Sequence, residues 1–467
     1  MRNFSLNTVE QKLLSILRIF IIISVIILVI FIYVDMLKKD NSYVVLPFET
    51  IGIKDNQEGK PFATLLSFDL QNIKNIYKTG PDRTQKGSNG RKLLHRPLAN
   101  YSVPNNLSKN VQLDYSLSQI GTIGAEGISL SIGNVLLFIK GALGRGPNTI
   151  TCSIQRYNST IILVAILDQQ SKIMTFEDAF ENRFIISNEE QIPSLINDLA
   201  YKISLALCKQ SNVADKWPQN WQTFKYVTQA RDAYNSYMLT KDAKDLDKGY
   251  NMTMLAKEFE PEYNGTFELL SALGFNYLEG QNYDKAEMIF ENISDFMPFE
   301  STLGLGVVYS NRNQSYYISA LKAFDKATQL RPNDALAWDN KGIILNKMGN
   351  YSNIYKAMMA FNEAIGLDHN HIDPIAWCGK GDALTNLGIF ENNTSRYKEA
   401  IAAYDMSIKI KPKGSEAWYG KGNALANLGW YEEAKAAYDM SIEINSSFEE
   451  ALVNRKIVLA AQGNDSE

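Results

Sequence analysis

The sequence predicts a multidomain chain of three parts: a single transmembrane helix, a small α+β domain and an all-α solenoid. Residues 13–34 form an apolar run, and residues 43–208 mix strand-like with helix-like patterns. The second half of the chain repeats one pattern, in which a Trp, a Gly and a Leu at helical spacing precede an Ala and an aromatic residue on a second helix. One such helix pair cannot bury its apolar face alone, so the pairs are expected to stack.

Composition limits the classes of function. Of the 467 residues, 45% are hydrophobic, which is enough for packed cores. The formal net charge of -4 gives no electrostatic reason to expect a nucleic-acid partner. Three widely spaced cysteines predict neither a disulfide framework nor a metal cluster.

The apolar run near the amino terminus predicts a membrane anchor. Arg18 is its only charge, and a helix over residues 13–34 would be about 33 Å long, enough for a hydrocarbon core of about 30 Å. A signal peptide would be shorter and would end in small residues, whereas Tyr33 and Val34 stand here. Arg2, Lys12 and Arg18 on the amino side outnumber Lys38 and Lys39 on the other, which favours a cytoplasmic tail at residues 1–12 and an extracytoplasmic location for the remainder.

Residues 43–208 are predicted to form the α+β domain. A stretch rich in β-branched and aromatic residues predicts a strand at residues 43–48. An alternating run followed by a continuous apolar run predicts a hairpin within residues 149–167. Apolar residues at helical spacing predict amphipathic helices over residues 61–77 and 192–208.

A loop inside this domain, residues 78–110, is locally basic. It is interpreted either as a solvated loop or as a contact for anionic lipid head groups or an acidic partner. The glycine spacing of the domain matches neither the dinucleotide fingerprint nor a phosphate loop. The cations of the loop are Lys78, Arg83, Lys86, Arg91, Lys92 and Arg96.

The order of these elements carries a resemblance. An opening strand that contains VVLPF, a helix and a later strand pair resemble the small domain at the amino end of TolB and in FlgO-type envelope proteins. The resemblance covers residues 43–208 and implies a cell-envelope module without known catalysis. It transfers no functional residue to this chain.

The polar residues 209–222 predict a linker, and about six helix pairs are expected over residues 223–449. Residues 450–467 then supply a capping helix and a tail. One unit shows the full pattern, with Trp377, Gly381, Ala400, Tyr404 and Pro412.

These positions resemble the signature of the tetratricopeptide repeat (TPR) family, over residues 222–462. Two departures stand out. Lys341, Lys380 and Lys421 occupy a position where the family prefers Leu, and Trp338 lies 39 residues before Trp377 although the family period is 34.

The additional residues fall mainly in the turns within the pairs, so they are expected to line one edge of the solenoid. Glycosylation sequons lie in these turns, which suggests a glycoprotein. The alternative is turn chemistry, because Asn and Ser both favour turns. The four asparagines are Asn313, Asn350, Asn392 and Asn393.

The TPR resemblance implies a concave groove lined by the first helix of each pair. Amides with a few charges suit hydrogen bonding to an extended peptide, although a solvated face is the alternative. A clamp for a carboxyl terminus is not supported, because Tyr419 stands where the family uses Lys. The candidate groove residues are Ser310, Asn311, Asp339, Asn346, Lys347, Asp382, Thr385, Asn386, Tyr419, Asn423 and Asn427.

No catalytic, cofactor or metal site is expected. His369 and His371, near Asp368 and Asp373, supply at most half of the ligands of a metal site, so this segment is interpreted as a solvated loop. Only one further histidine exists, at position 95, so a His-based triad has little scope.

The leading hypothesis is a non-enzymatic adaptor, anchored in the cell membrane by residues 13–34, that binds other proteins through its repeats. The alternative is an envelope sensor in which residues 43–208 bind a small ligand and the repeats recruit partners. A polar pocket in that domain would favour the sensor, and a filled core would favour the adaptor.

Overall fold

The computed structural model describes part of the chain, and the predicted transmembrane helix at residues 13–34 and its tail at 1–12 lie outside the described residues. Within the described part, no helix is both long and apolar enough to cross a bilayer. The described residues are 43–45, 49–51, 59–78, 111–112, 122–125, 128–131, 148–157, 160–168, 173–175, 192–209, 216–368 and 373–461.

The first of two compact units ends at Thr228 and contains a mixed sheet. Five of its strands follow the order β3-β1-β6-β7-β8, and β2 also pairs with β6. The pairs among β1, β2, β3 and β6 are parallel, whereas β7 is antiparallel to both β6 and β8. The strands are β1 (Tyr43–Val45), β2 (Glu49–Ile51), β3 (Val111–Gln112), β4 (Thr122–Ala125), β5 (Ile128–Ser131), β6 (Asn148–Tyr157), β7 (Thr160–Asp168) and β8 (Ile173–Thr175).

The predicted hairpin is confirmed by β6 and β7, whose register runs from Thr149 opposite Asp168 to Tyr157 opposite Thr160. Strands β4 and β5 form a separate two-stranded antiparallel sheet.

Two helices of the first unit pack on each other, α1 (Gly59–Lys78) and α2 (Ile192–Lys209). Leu66 and Leu70 on α1, and Ile196 and Ile203 on α2, are almost fully buried. Their spacing of four residues on α1 and seven on α2 places them on one face of each helix, which is the basis of the sequence prediction.

The segment predicted as a linker, residues 209–222, includes one buried aromatic residue where the structure describes it. Lys209 ends α2, and Trp217 is 2% exposed. The Trp217 ring packs edge-on against Tyr77, at 5.4 Å between ring centroids, and against Phe224, at 5.9 Å. The polar composition of this segment hid one large apolar side chain, whose burial holds the segment on the core.

The second unit comprises the described residues from Gln229 onward, so the unit boundary falls within α3. From α3 to α14 the helices form six consecutive pairs, in agreement with the predicted number, and α15 follows. They are α3 (Trp221–Thr240), α4 (Ala243–Phe259), α5 (Asn264–Glu279), α6 (Tyr283–Asn292), α7 (Pro298–Asn311), α8 (Tyr317–Leu330), α9 (Ala335–Met348), α10 (Tyr351–Leu367), α11 (Pro374–Glu391), α12 (Thr394–Ile410), α13 (Ser415–Asn427), α14 (Tyr431–Ile444) and α15 (Glu449–Ala461).

Glycines and aromatic rings set the stacking of these pairs. The buried ring of Phe361, on α10, lies between Gly342 of its own pair and Gly379 of the next. A β-carbon would come within 2.7 Å of the ring at Gly342 and within 2.4 Å at Gly379. Tyr404 occupies the same position between Gly381 and Gly420. Each ring therefore bridges two successive pairs.

The lysines that replace the family's Leu do not leave gaps in the array. Lys341 places its Nζ 4.8 Å from the centroid of the Trp338 ring, a cation–π contact. The same ammonium forms a 2.9 Å ion pair with Asp325 of the preceding pair. Lys421 repeats both contacts, with Trp418 and with Asp405. The aliphatic stem covers the ring while the charge reaches solvent.

Candidate functional site

A groove on the second unit is the candidate site. It encloses a cavity of about 230 Å³. The cavity is lined by residues of α7, α9, α11 and α13, which are the first helices of four consecutive pairs, and by Ser407 and Lys411 at the carboxyl end of α12. Apolar side chains line much of it, among them Val307, Ile343 and Ile375. Burial raises the pKa of the Cys378 thiol well above its usual range, so this side chain also presents an uncharged surface. Such an apolar lining suits hydrophobic side chains of a ligand.

Four charged residues complete the lining: Lys347, Asp382, Lys411 and Glu416. Lys347 donates from Nζ to the carbonyl oxygen of Ser310 at 3.2 Å. The Ser415 hydroxyl donates to Glu416 at 3.2 Å. The groove therefore offers both signs of charge around an apolar surface.

Asp382 is the charged residue most affected by its surroundings. Its side chain is open to solvent, but it lies low in a concave surface where protein atoms replace much of the water around it. This desolvation raises the pKa of the Asp382 carboxyl to about 6, although a hydrogen bond from Tyr404 acts in the opposite direction. The Tyr404 hydroxyl donates to Oδ1 at 2.7 Å and fixes the carboxylate in place.

Of the eleven predicted groove residues, four line the cavity: Ser310, Asn311, Lys347 and Asp382. Ser310 and Asn311 both donate to the backbone oxygen of Val307, so their donor groups serve α7 itself. Asn386 is half-buried and does not line the cavity.

Three other predicted residues, Asn346, Thr385 and Asp339, do not line the cavity. Asn346 donates to the carbonyl oxygen of Gly379 on the next pair at 3.3 Å, and Thr385 donates to Gly381 at 2.9 Å. Asp339 is 2% exposed, and burial together with the nearby Asp373 raises the pKa of its carboxyl well above the usual range. These side chains are internal because the first helices are covered on several faces by their neighbours.

Tyr419, Asn423 and Asn427 lie outside the cavity. The Tyr438 hydroxyl donates to Oδ1 of Asn423 at 2.8 Å, and Asn454 donates to the same oxygen at 2.9 Å and to the Tyr419 hydroxyl at 3.2 Å. Asn427 donates to the backbone oxygen of Asn423. This cluster joins the last helix pair to α15.

The sequon asparagines have a structural role at helix ends. Asn313, Asn350 and Asn393 each precede a helix and accept a backbone N–H through the side-chain oxygen, as N-caps do. Asn392 follows α11 in the left-handed conformation, with φ of 48°. Helix capping therefore explains these residues without a glycan.

Among the described residues, no group of three or more His, Cys, Asp or Glu side chains could hold a metal ion. Asp373 caps α11 by accepting the N–H of Ile375, and Asp368 accepts the N–H of Asp373. His369 and His371 lie outside the described residues.

Sequence reasoning missed the apolar side of the groove and two of its charges. Ile343, Ile375 and Cys378 belong to first helices, but the expected hydrogen bonding to a peptide favoured only polar residues. Lys411 and Glu416 lie at the end of one pair and the start of the next, where the repeat pattern assigns no ligand role. Cys378 lies four residues before Asp382, a helical spacing that places both on one face of the helix, and this spacing was the signal that could have identified it.

Residues 415–448, which form α13 and α14, match the family model described as tetratricopeptide repeat. A search of curated proteins finds no match. Among solved structures, the chain is similar to YrrB, described as a TPR protein with an unusual peptide-binding site, at 19% identity, 44% coverage of this chain, 97% of that chain and a TM-score of 0.34. It is also similar to the first TPR domain of human RPAP3, at 19% identity, 29% coverage of this chain, 96% of that chain and a TM-score of 0.25. For MamA from Desulfovibrio magneticus RS-1 the identity is 17%, the coverage is 38% of this chain and 86% of that chain, and the TM-score is 0.28.

Proposed function

We propose that this chain, in which residues 415–448 match the tetratricopeptide repeat model, is a scaffold whose groove binds an extended segment of another protein. The observation that carries the proposal is the apolar cavity across four consecutive first helices. Burying the aliphatic side chains of a segment there contributes about 25 cal/mol per Å² of apolar surface. The charges at Lys347, Asp382, Lys411 and Glu416 would fix its register.

The site does not call for a catalytic role. Asp382 and Tyr404 are hydrogen-bonded, but their arrangement includes neither a nucleophile with a base nor a set of metal ligands. A binding function without catalysis accounts for the apolar lining and the fixed carboxylate.

The proposed location is the cell envelope, with residues 13–34 as a membrane anchor and the array outside the cytoplasm. The apolar run supports the anchor, and Arg2, Lys12 and Arg18 on the amino side, against Lys38 and Lys39 on the other, support this orientation. Glycans on Asn313, Asn350, Asn392 and Asn393 would accompany it, since capping uses the side-chain oxygen of three of them and leaves the amide nitrogen. Mass spectrometry of the native protein that finds all four unmodified would contradict the glycan part.

The sensor remains the second candidate because of two buried hydroxyls in the first unit. Ser67 and Ser204, both within residues 43–208, are 5% and 0% exposed, and within the described residues their hydroxyl oxygens have no hydrogen-bond partner. A polar ligand could satisfy them. A thermal-shift screen of the full chain with small metabolites would support the sensor if a hit is lost in Ser67→Ala with Ser204→Ala, and no such hit would reject it.

The groove proposal is tested by photocrosslinking in the native membrane. A benzophenone amino acid at Ile375, which lines the cavity, should crosslink to one contiguous segment of a partner. The control position is Met359, which is 47% exposed and lies outside the cavity. A synthetic peptide of that segment should bind the full chain and should lose binding in Ile375→Arg but not in Met359→Arg. Equal crosslinking from both positions would contradict the proposal.

A further inference from the structure

Asp382 has the features of a preorganised acceptor for a cation. It lies on α11, the third of the four first helices that line the cavity, and it accepts a hydrogen bond from the Tyr404 hydroxyl through Oδ1 at 2.7 Å. Tyr404 is 1% exposed and packs between Gly381 and Gly420, so its hydroxyl cannot move away. The carboxylate is therefore held in one orientation before any ligand arrives, which reduces the entropy cost of binding.

The negative charge of Asp382 is not balanced inside the groove. No ion pair joins Asp382 to a lysine or arginine in the described part of the chain. Lys347 directs its ammonium to the carbonyl oxygen of Ser310. The raised pKa of Asp382 reflects the same situation, because its causes include desolvation but no neighbouring cation. A cation supplied by a ligand would stabilise the ionised form.

The neighbours of Asp382 define what must accompany that cation. Ile343, Ile375 and Cys378 give an apolar surface in the same cavity, and Glu416 adds a second carboxylate. Lys411 contributes a positive charge at the end of the α12 pair. A basic side chain next to aliphatic side chains complements this arrangement better than an acidic or a wholly apolar segment.

We infer that the groove selects partner segments in which a Lys or Arg stands next to aliphatic residues, with its charge paired to Asp382. This inference rests on the proposed peptide-binding function. It adds the chemical class of the ligand, and it makes Asp382 the residue that decides specificity.

The probe is a random linear peptide library displayed on phage and selected on the full chain at pH 7.5. We expect the selected peptides to be enriched in Lys or Arg beside Leu, Ile or Val. Synthetic versions should bind by fluorescence anisotropy, and Asp382→Asn should lower their affinity at least tenfold. Replacing the peptide's basic residue by norleucine should lower the affinity by the same factor. The two changes together should lower it no further than either change alone. Asp405→Asn is the matched control, since Asp405 pairs with Lys421 outside the groove.

The pH dependence gives an independent readout. Affinity should fall as the pH decreases below about 6, because protonation of Asp382 removes the negative charge. The other titratable or charged groups that face the site are Tyr404, Cys378, Glu416, Lys347 and Lys411. The acid-induced loss should be absent in Asp382→Asn and retained in Glu416→Gln. Loss of the pH dependence in Glu416→Gln alone would overturn the assignment to Asp382.

The outcomes separate this inference from the proposed function. Selected peptides that depend on Ile375 but show no basic preference, or that ignore Asp382→Asn, would overturn the inference and leave the peptide groove intact. A selection that yields no Ile375-dependent peptide would overturn both. Replacing Arg91, Lys92 and Arg96 by Ser should leave affinity unchanged. A tenfold gain would identify the chain's own basic segment as the occupant and would overturn the partner assignment.

Discussion

The Tyr404 ring packs directly on the backbone of Gly420, in the next helix pair, so closely that a β-carbon at Gly420 would lie 2.4 Å from Cε1 of the ring. Real β-carbons essentially never come this close to another heavy atom. The same ring carries the hydroxyl that holds Asp382. One contact therefore joins the stacking of the repeats to the geometry of the groove.

Replacing Gly420 by Ala should destabilise the array. A methyl group in a helix normally stabilises it relative to glycine, by up to about 1 kcal/mol. Here the methyl collides with a buried ring that Gly381 confines on its other side, and such overpacking costs about 1–3 kcal/mol. Urea unfolding followed by circular dichroism should show a lower midpoint.

The matched control is Gly366→Ala on α10. A β-carbon there meets nothing within 4 Å, and the position is exposed. This variant should gain about 0.4–1 kcal/mol of unfolding free energy. If Gly420→Ala is as stable as Gly366→Ala, the ring does not confine position 420.

The repeats could be predicted from the sequence because their pattern is local. Gly342 and Phe361 lie 19 residues apart and meet within one helix pair, so periodicity alone places them face to face. Trp217 could not be placed in this way. Its burial against Tyr77 depends on a contact 140 residues away in sequence, which no local pattern encodes.

Asn423→Ala should destabilise the end of the array. The change removes the acceptor of the buried Tyr438 hydroxyl and a partner of Asn454 on α15. Leaving such a buried donor unsatisfied costs about 1–3 kcal/mol. Asn427→Ala, at an exposed position whose bond stays within α13, should change stability by less than about 0.5 kcal/mol. Equal thermal midpoints for the two variants would show that the Asn423 cluster does not stabilise the array.

The same residue shows why the groove was harder to predict than the fold. Asn423 has the chemistry of a peptide-binding amide, and its position on a first helix is the expected one. Its side-chain oxygen already accepts hydrogen bonds from Tyr438 and Asn454, and Asn454 belongs to the capping helix rather than to a repeat. A sequence pattern gives the residue type at a position, but only the packing shows whether that side chain is already bonded.

Asn362→Asp should stabilise the junction between α10 and α11. An aspartate follows the buried aromatic residue at two other junctions and pairs with the lysine of the next helix, as Asp325 does with Lys341. Asn362 occupies the corresponding position, and Lys380 has no ion pair within the described residues. A new exposed ion pair contributes about 0.2–1 kcal/mol. Thermal unfolding should show the gain in stability in low salt. The gain should be lost in 1 M salt, because the Debye length is then only about 3 Å and the exposed charges are screened. A gain that persists in high salt would have another cause.

The stability of the wild type should decrease as the pH rises, and Asp339→Asn should abolish this pH dependence. Burial and the neighbouring Asp373 raise the pKa of Asp339 in the folded protein above its unfolded value, so the folded state keeps a proton that the unfolded state has already released. The unfolded state then binds fewer protons, and stability falls as the pH rises from the unfolded pKa of about 3.9 toward the folded pKa. Asparagine carries no charge and can donate its amide N–H toward Asp373. The variant should therefore gain more stability over the wild type at pH 7.5 than at pH 5, as measured by urea unfolding at both values. A constant difference between the two proteins would show that Asp339 does not titrate in this window.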